Sequence, residues 1–330
     1  MHSHAQAWYG RRTWHWRNWP AEVLLEDKRR ADVRISVVIP ARNEERTIAG
    51  VVGSLRAARM ERIPLIDEVV VIDSDSADGT AAAAAKAGAA VHGARDIAPE
   101  LGGYPGKGEA LWKSLLVTEG DLLVFIDADL TQWGPHFVTG LLGPLLADPG
   151  VQLVKGFYAR IATGTDGSTS TEGGRVTELV ARPLLSLWWP ELSGVAQPLA
   201  GEWAARRELM ESLSIPVGYG VELSTLLDTA ATRGLDAIAQ VDLGSRAHKH
   251  QTDHDLALMA AELLIVAERR RPVKEAGEVG GSAVPASPLL QQYVREGAQV
   301  RPVARPIPVQ ERPPVASLVG RSASRDGVWR

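Results

Sequence analysis

The chain has 330 residues, a formal net charge of −4 and an ordinary globular composition, with 45% hydrophobic and 23% charged residues. This length suits one large α/β domain or two small ones. The charge gives no general basis for binding nucleic acid or an anionic membrane, and the absence of cysteine excludes disulfides and cysteine-type zinc sites. No apolar run reaches about 18 residues, and residues 1–17 lack an apolar signal core, so we expect a cytoplasmic protein with no membrane partner.

The first 30 residues are rich in tryptophan and arginine. Trp8, Trp14, Trp16 and Trp19 all lie in this segment. Because so many aromatic side chains are costly in water, we expect them to pack on the domain or on a second subunit. Stacking on nucleic acid bases is the alternative use of such a segment.

Strongly apolar segments alternate with helical patterns over the following hundred residues. Buried strands are predicted at residues 35–39, 69–72 and 122–126, and helices follow the first two. This alternation predicts βαβ units and a parallel sheet, hence an α/β fold. Ligands of such sheets bind beyond the carboxyl ends of the strands.

Two of these strands end in an Asp-x-Asp sequence. Asp127 and Asp129 follow the third strand, where neighbouring carboxylates are costly unless a cation lies between them. This pair therefore predicts a site for a divalent metal and a diphosphate, although an acidic turn is the alternative. Asp73 and Asp75 lead into a Ser/Asp/Gly turn that is better suited to hydrogen bonding a ribose or a base.

Two glycine-containing segments are predicted to bind anions. Lys107 lies in a glycine loop and would supply a charge for phosphate, although the Walker A pattern is missing and a solvated lysine is the alternative. Arg175 and Thr177 lie at a predicted helix start, where free amides favour an anion. A surface salt bridge from Arg175 to Glu178 is the competing interpretation.

The remaining chain adds a histidine near a strand end. His248 follows a strand predicted at 237–244, and we interpret it as a further ligand of the Asp129 ion. Zinc bound by His248, His250 and His254 is the alternative, but this spacing fits no common zinc site.

Residues 201–204 are predicted to form an edge strand. The proline-rich residues from 271 onward are predicted to be extended, with a short helix at about 289–295 and no chemistry.

These features together predict group transfer from a nucleoside-diphosphate donor to a small anionic acceptor. A metal would neutralise the departing diphosphate, with Lys107 and Arg246 assisting. A sugar-1-phosphate nucleotidyltransferase would instead need a glycine-rich, arginine-bearing loop after the first strand, where residues 40–44 stand. A non-catalytic protein that binds nucleotide sugars is the alternative from another functional class.

Several segments resemble a known enzyme family. Residues 36–45 resemble the opening of GT-A glycosyltransferases, and residues 105–112, 173–185, 218–222 and 234–241 resemble glucosyl-3-phosphoglycerate synthases. The likeness covers about residues 35–265. It implies a Rossmann-like GT-A fold in residues 31–270, with a nucleotide-sugar half (31–130) and an acceptor half (131–270). Residues 1–30 would then form a tryptophan-rich arm and residues 271–330 a proline-rich extension.

The resemblance also implies the reaction and the residues that perform it. A retaining enzyme would move glucose from UDP-glucose to the 2-hydroxyl of D-3-phosphoglycerate with Mg²⁺ or Mn²⁺, act as a homodimer, and feed methylglucose lipopolysaccharide or glucosylglycerate synthesis. Asp129 and His248 would bind the metal, and Asp129, Lys107, Arg246 and His248 would act in catalysis. The donor would contact Pro40, Ala41, Arg42, Asn43, Glu44, Ser74, Lys107, Asp127, Ala128, Tyr219, Gly220, Val221, Glu222, Arg246, Ala247, His248, Lys249, His250 and Gln251. The acceptor would contact Gly174, Arg175, Val176, Thr177 and His250.

The sequence departs from the family pattern at two places. The family's Asp-Ser-Asp is Asp-Ala-Asp here, which keeps both carboxylates and loses one hydroxyl. His250 and Gln251 replace an Asn and an Arg that follow the histidine in the glucosyl enzymes. The similar mannosyl-3-phosphoglycerate synthases, which use GDP-mannose, therefore provide the alternative donor.

Overall fold

A computed structural model describes residues 2–163, 169–170, 174–247, 253–272, 284–296 and 299–318. Its strands are β1 (Thr13–His15), β2 (Ile35–Ala41), β3 (Glu68–Asp73), β4 (Ala90–Gly93), β5 (Leu122–Phe125), β6 (Leu153–Thr163), β7 (Thr169–Ser170), β8 (Trp203–Arg206), β9 (Ile215–Pro216), β10 (Ile238–Ala247), β11 (Leu289–Glu296), β12 (Gln299–Pro306) and β13 (Glu311–Arg312). Its α-helices are α1 (Ser3–Arg12), α2 (Ala21–Ala31), α3 (Ile48–Leu55), α4 (Thr80–Lys86), α5 (Lys107–Ser114), α6 (His136–Ala147), α7 (Arg182–Trp188), α8 (Arg207–Ser212), α9 (Val221–Arg233) and α10 (Asp253–Arg270).

A mostly parallel sheet forms the centre of the molecule. Its strand order is β1-β10-β6-β8-β5-β2-β3-β4, and β7 pairs with β6. The strands β5, β2, β3 and β4 are parallel, as are β1, β10 and β6, and β8 runs antiparallel between the two groups. The predicted α/β class with a mostly parallel sheet is therefore confirmed. The carboxyl ends of β2, β3, β5, β6 and β10 share one edge with the start of β8.

Helices cover both faces of this sheet. Along β5, Leu123 and Phe125 join one buried cluster, whereas Leu122 and Val124 join the other. Successive side chains of a strand point to opposite faces, so an unbroken apolar strand requires two covered faces. This packing explains why the predicted strands consist almost entirely of apolar residues.

The strand predicted at residues 201–204 is not an edge strand. β8 begins at Trp203 and lies between β5 and β6, where Ala204 pairs with both Val124 and Val154. Trp203, Ala204 and Ala205 are fully buried. The edge prediction was wrong because β8 hydrogen bonds on both sides.

The tryptophan-rich segment packs on the domain, which is one of the two arrangements expected from the sequence. β1 adds a strand beside β10, and the fully buried Trp8 donates its indole N–H to the carbonyls of Leu235 (3.1 Å) and Ile238 (3.0 Å). Trp16 lies with its ring centroid 4.2 Å from that of His136 on α6. These aromatic side chains therefore complete the core instead of forming an exposed stacking surface.

The C-terminal residues also differ from the prediction. The helix expected at about 289–295 is wrong: β11 and β12 form an antiparallel hairpin there. β13 then pairs with β9, which joins the C-terminal segment to the main domain. Within the described ranges, no helix has the length and apolar character needed to cross a bilayer.

Candidate active site

A cavity of about 910 Å³ opens at the shared strand edge. It collects residues from the predicted metal, donor and acceptor groups. Those that line it are Pro40, Ala41, Arg42, Glu44, Ser74, Lys107, Asp127, Ala128, Asp129, Gly174, Arg175, Val176, Thr177, Tyr219, Glu222 and Arg246. The parallel sheet brings them together because β2, β3, β5 and β10 all end here.

Lys107 lies between two carboxylates on the cavity wall. Its Nζ is 2.7 Å from an oxygen of Asp127 and 2.7 Å from an oxygen of Glu222, at the start of α9. Burial alone would lower the pKa of Lys107, but the two negative charges outweigh it and raise that pKa well above its ordinary value. Lys107 is therefore a fixed positive charge and not a solvated loop lysine.

Arg246 at the end of β10 forms the second cationic centre. Its guanidinium donates to Asp127 at 3.2 Å and to the Tyr158 hydroxyl at 2.8 Å, and it lies 3.7 Å from Asp129. It also pairs with Glu202, which is fully buried just before β8. Asp127 thus accepts from Arg246 on one oxygen and from Lys107 on the other.

The two carboxylates of the Asp-x-Asp sequence have opposite electrostatic environments. Burial favours neutral Asp127, but Lys107 and Arg246 outweigh it and hold the pKa of that carboxyl well below its usual range. Burial instead raises the pKa of Asp129 to about 6, and the charge of Asp127 acts in the same direction. Among the described residues, Asp129 pairs only with Arg246, at 3.7 Å, a longer contact than the two that Asp127 makes with cations.

The charges of this site fit a hard divalent cation. Ion pairs join four carboxylates (Asp127, Asp129, Glu202 and Glu222) to two cations, an excess of two negative charges within the network. Carboxylate oxygens are the ligands that Mg²⁺ and Mn²⁺ prefer. The described residues contain no group of three or more His, Asp or Glu side chains arranged as a complete metal site. The predicted second ligand, His248, lies outside them.

At two positions of the cavity wall the backbone lies so close to neighbouring atoms that only glycine fits. Gly106, directly before Lys107, has φ +135°, and a Cβ there would meet the backbone of Val217 and Gly218. A Cβ on Gly201 would collide with the carboxylate of Asp127. Gly106 therefore allows the Lys107 loop to lie against the backbone that precedes Tyr219, and Gly201 allows backbone to lie against the carboxylate of Asp127.

The predicted anion receptor, residues 174–177, lines the same cavity. Gly174 accepts a hydrogen bond from the Glu178 amide, and residues 177–181 form a π-helical turn that continues into α7. The carboxylate of Glu178 pairs with Arg182 at 2.8 Å. Arg175 and Thr177 both line the cavity, and Thr177 is buried.

Other predicted contacts lie beside the cavity or outside the described residues. The Asn43 side chain accepts from the Ala77 amide at 2.8 Å and so joins the loops after β2 and β3. Val221 is fully buried in the core, and Gly220 packs against Val266. Ala247 ends β10. His248, Lys249, His250 and Gln251 are not among the described residues.

Sequence reasoning missed three buried polar residues around this site. Glu202 and Tyr158 bind Arg246, and Lys155 donates to the Ala200 carbonyl at 3.0 Å. Burial lowers the pKa of Lys155 to about 8. A charged residue within the apolar first half of β6 is the signal that identifies Lys155, whereas nothing local connects Glu202 with Arg246.

Comparison with known proteins gives the family. The model of glycosyl transferase family 2 matches residues 36–198. The chain is 49% identical to the glucosyl-3-phosphoglycerate synthase of Petrotoga mobilis over 75% of this chain and 76% of that protein. It is 46% identical to the enzyme of the same name from Mycobacterium tuberculosis, over 89% of this chain and 90% of that protein. The chain belongs to the glucosyl-3-phosphoglycerate synthase family.

A solved structure agrees with this membership. The M. tuberculosis glucosyl-3-phosphoglycerate synthase in complex with Mn²⁺, UDP-glucose and phosphoglyceric acid superposes with a TM-score of 0.78 at 42% identity, covering 91% of this chain and 95% of that one. The predicted family, the GT-A fold and the assignment as a hexosyltransferase are confirmed. The cavity is therefore interpreted below as the active site of a glucosyl-3-phosphoglycerate synthase.

Proposed function

We propose that this protein transfers glucose from UDP-glucose to the 2-hydroxyl of D-3-phosphoglycerate in a reaction that requires Mg²⁺ or Mn²⁺. The observation that carries the proposal is the network of four carboxylates and two cations at the cavity. A site with excess negative charge beside two fixed cations suits a metal together with a diphosphate. The M. tuberculosis relative, whose structure contains Mn²⁺, UDP-glucose and phosphoglyceric acid, supports the same assignment.

Asp129 and His248 are the proposed metal ligands. The metal, when bound, would neutralise negative charge on the departing diphosphate. Lys107 would supply a second positive charge to the donor phosphates, because Asp127 and Glu222 keep it protonated and fixed. Arg246 would hold Asp127 and Asp129 at the donor side of the cavity.

The remaining donor contacts follow from the strand ends. Residues 40–44 and Ser74 would bind the nucleotide, since most of them line the cavity beyond β2 and β3. Tyr219 and Glu222 would complete the donor wall, together with residues 246–251. The nucleotide would then lie beyond the carboxyl ends of β2 and β3, where α/β folds bind such ligands.

Phosphoglycerate would bind at residues 174–177. Arg175 can form bidentate hydrogen bonds with a phosphate or a carboxylate, and the amides at the start of this helical segment favour an anion. His250 is proposed as a further acceptor contact. This arrangement would direct the 2-hydroxyl towards the donor sugar.

The proposed reaction retains the anomeric configuration. The bond between the anomeric carbon and the diphosphate oxygen breaks as the acceptor 2-hydroxyl attacks from the same face. The departing diphosphate accepts the hydroxyl proton, so no covalent enzyme intermediate is needed. Substrate bound across the cavity would exclude water, which favours transfer over hydrolysis.

The donor preference is tested by comparing the two donors in separate incubations. The protein is incubated with D-3-phosphoglycerate and either UDP-glucose or GDP-mannose, with and without Mg²⁺. We expect a metal-dependent glucosylated product and little product from GDP-mannose. Preferential mannosyl transfer would replace the glucosyl assignment, and nucleotide-sugar binding without product from either donor would indicate a non-catalytic binding protein.

A cytoplasmic homodimer is the proposed working form. Leu179 and Leu187 are 75% and 74% exposed on the helical segment that includes α7, which is costly in a monomer. Multi-angle light scattering should give twice the mass of the 35.5 kDa chain. A monomer at micromolar concentration would contradict this part of the proposal.

A further inference from the structure

Arg312 of β13 has an unusually complete set of contacts. Its guanidinium forms two hydrogen bonds with the carboxylate of Glu109 on α5, at 2.7 and 2.6 Å. It also donates to the carbonyls of Leu101 (2.8 Å) and Gly102 (2.9 Å). Arg312 is only 6% exposed, and 203 residues separate it from Glu109 in the sequence.

Arg312 contacts both the loop that leads to Lys107 and the helix α5 that begins with Lys107. Leu101 and Gly102 begin this loop, and Tyr104, whose ring centroid lies 4.7 Å from the guanidinium, lines the cavity. Trp112 on α5 lies at 4.8 Å from the same guanidinium and donates to the Pro313 carbonyl at 2.8 Å. Arg312 therefore fixes both the beginning of the loop and the helix that follows it.

The same segment also fixes the other wall of the cavity. The Gln310 carbonyl accepts from the Val217 amide at 3.1 Å, and β13 pairs with β9. The carbonyl of Val217 in turn accepts from the Glu109 amide at 2.9 Å. The C-terminal segment thus joins the Lys107 loop to the turn that precedes Tyr219 and Glu222.

The geometry points to Arg312 as a positioning residue for donor binding, acting through Glu109 and the loop of residues 101–107. A bidentate guanidinium defines the orientation of a carboxylate more strictly than a point charge does. Without Arg312, the loop loses two carbonyl hydrogen bonds and the carboxylate of Glu109 remains buried without its partner. The loop would then be held mainly at its Lys107 end, by Asp127 and Glu222, and the wall that it forms beside the donor would be less well defined. The C-terminal segment is therefore part of the donor site.

The test compares Arg312→Met with a matched control, Arg269→Met. Arg269 binds the same C-terminal segment through the Val309 carbonyl and Glu311, but it contacts neither Glu109 nor the loop. Arg312→Lys keeps the positive charge and serves as a second variant that retains the fold if Arg312→Met does not. Each full-length variant is measured for hydrogen exchange in residues 101–108, for UDP affinity with Mn²⁺, and for KM and kcat.

We expect Arg312→Met to accelerate exchange in residues 101–108 and to weaken UDP binding about tenfold, the size of a lost hydrogen bond to a charged group. KM for UDP-glucose should rise in parallel, whereas KM for phosphoglycerate should change less than about twofold. Arg312→Lys should show the same defects at smaller size, and Arg269→Met should behave like the wild type. Wild-type exchange and UDP affinity in the folded Arg312 variants would overturn the inference, and so would an equal defect in Arg269→Met.

This inference rests on the proposed function for the identity of the donor alone. Hydrogen exchange and UDP binding need no turnover. A wild-type protein that makes no product from phosphoglycerate would therefore contradict the proposed function and leave the test of Arg312 readable.

Discussion

Lys107 and Asp127 form an ion pair of 2.7 Å although 20 residues separate them in the sequence. The pair joins the glycine loop before α5 to the end of β5, and Glu222 extends it to α9. Three separate elements therefore meet at one buried ammonium group. This contact fixes the cavity wall at which the proposed donor phosphates bind.

Replacement of Lys107 should separate its structural role from its role in catalysis. Lys107→Met leaves Asp127 and Glu222 without their shared cation, and we expect a loss of roughly 3 kcal/mol in the free energy of unfolding. Turnover should fall at least about 100-fold, because the positive charge that stabilises the departing diphosphate is lost. Urea denaturation and initial rates measure the two effects.

The double variant Lys107→Met/Glu222→Gln provides the control. Removing one negative charge together with the positive charge should recover much of the stability but none of the turnover. Recovery of turnover in the double variant would show that Lys107 acts only by balancing Glu222.

Replacement of the proposed metal ligands should remove metal-stimulated turnover. In Asp129→Ala we expect the fold to survive, because the loss of a carboxylate beside Asp127 relieves repulsion. His248→Ala should have the same effect on turnover. Titration of each variant with Mg²⁺ measures this directly, and a near-normal Mg²⁺ response in both would mean that the metal binds elsewhere.

Arg175→Ala should weaken the acceptor and spare the donor. Loss of a guanidinium that binds an anion typically costs about 1.5–3 kcal/mol, so KM for phosphoglycerate should rise by roughly 10- to 100-fold. UDP affinity should remain within about twofold of the wild type. Arg182→Ala is the matched control, since Arg182 pairs with Glu178 on the same helical segment. An equal rise in KM for Arg182→Ala would argue against a specific role of Arg175.

Glu262 should make the stability of the fold depend on pH. Burial raises the pKa of Glu262 to about 7, and it accepts a hydrogen bond of 2.6 Å from the Tyr219 amide. Because the folded protein binds this proton more tightly than the unfolded chain, the stability contribution is full below about pH 4.5 and is lost as pH rises to 7. The loss is on the order of 3 kcal/mol.

The variant Glu262→Gln isolates this effect, because its amide oxygen can still accept the Tyr219 hydrogen bond. Relative to the wild type it should gain stability as pH rises from 5 to 8. Parallel stability curves for the two proteins over that range would assign the pH dependence to other groups.

Periodicity and strand ends were enough to predict much of the fold and of the site. The strands β2, β3 and β5 were predicted because both faces of each are covered, which leaves mainly apolar runs. The position of Asp127 at the carboxyl edge of the sheet followed from a rule about parallel sheets. Lys107 was predicted from its glycine loop, and Glu222 was assigned to the donor from the family resemblance. Such inferences depend on local pattern alone, which the sequence displays directly.

Contacts between distant segments account for what was missed. Glu202 before β8 would be unfavourable without Arg246, and a partner 44 residues away leaves no local signal. The strand β11 forms only because β12 pairs with it, so propensity alone suggested a helix. Arg312 was assigned no chemistry for the same reason, since its meaning depends on Glu109.

The most direct test of the central claim is the chemical identity of the product. The wild-type protein is incubated with UDP-glucose, D-3-phosphoglycerate and Mg²⁺, and a parallel sample contains EDTA from the start. The product of each incubation is examined by NMR. We predict a single glucosyl-3-phosphoglycerate joined through the 2-hydroxyl in the anomeric configuration of the donor, absent when EDTA is present. An inverted linkage, a metal-independent reaction or the absence of this product would contradict the account.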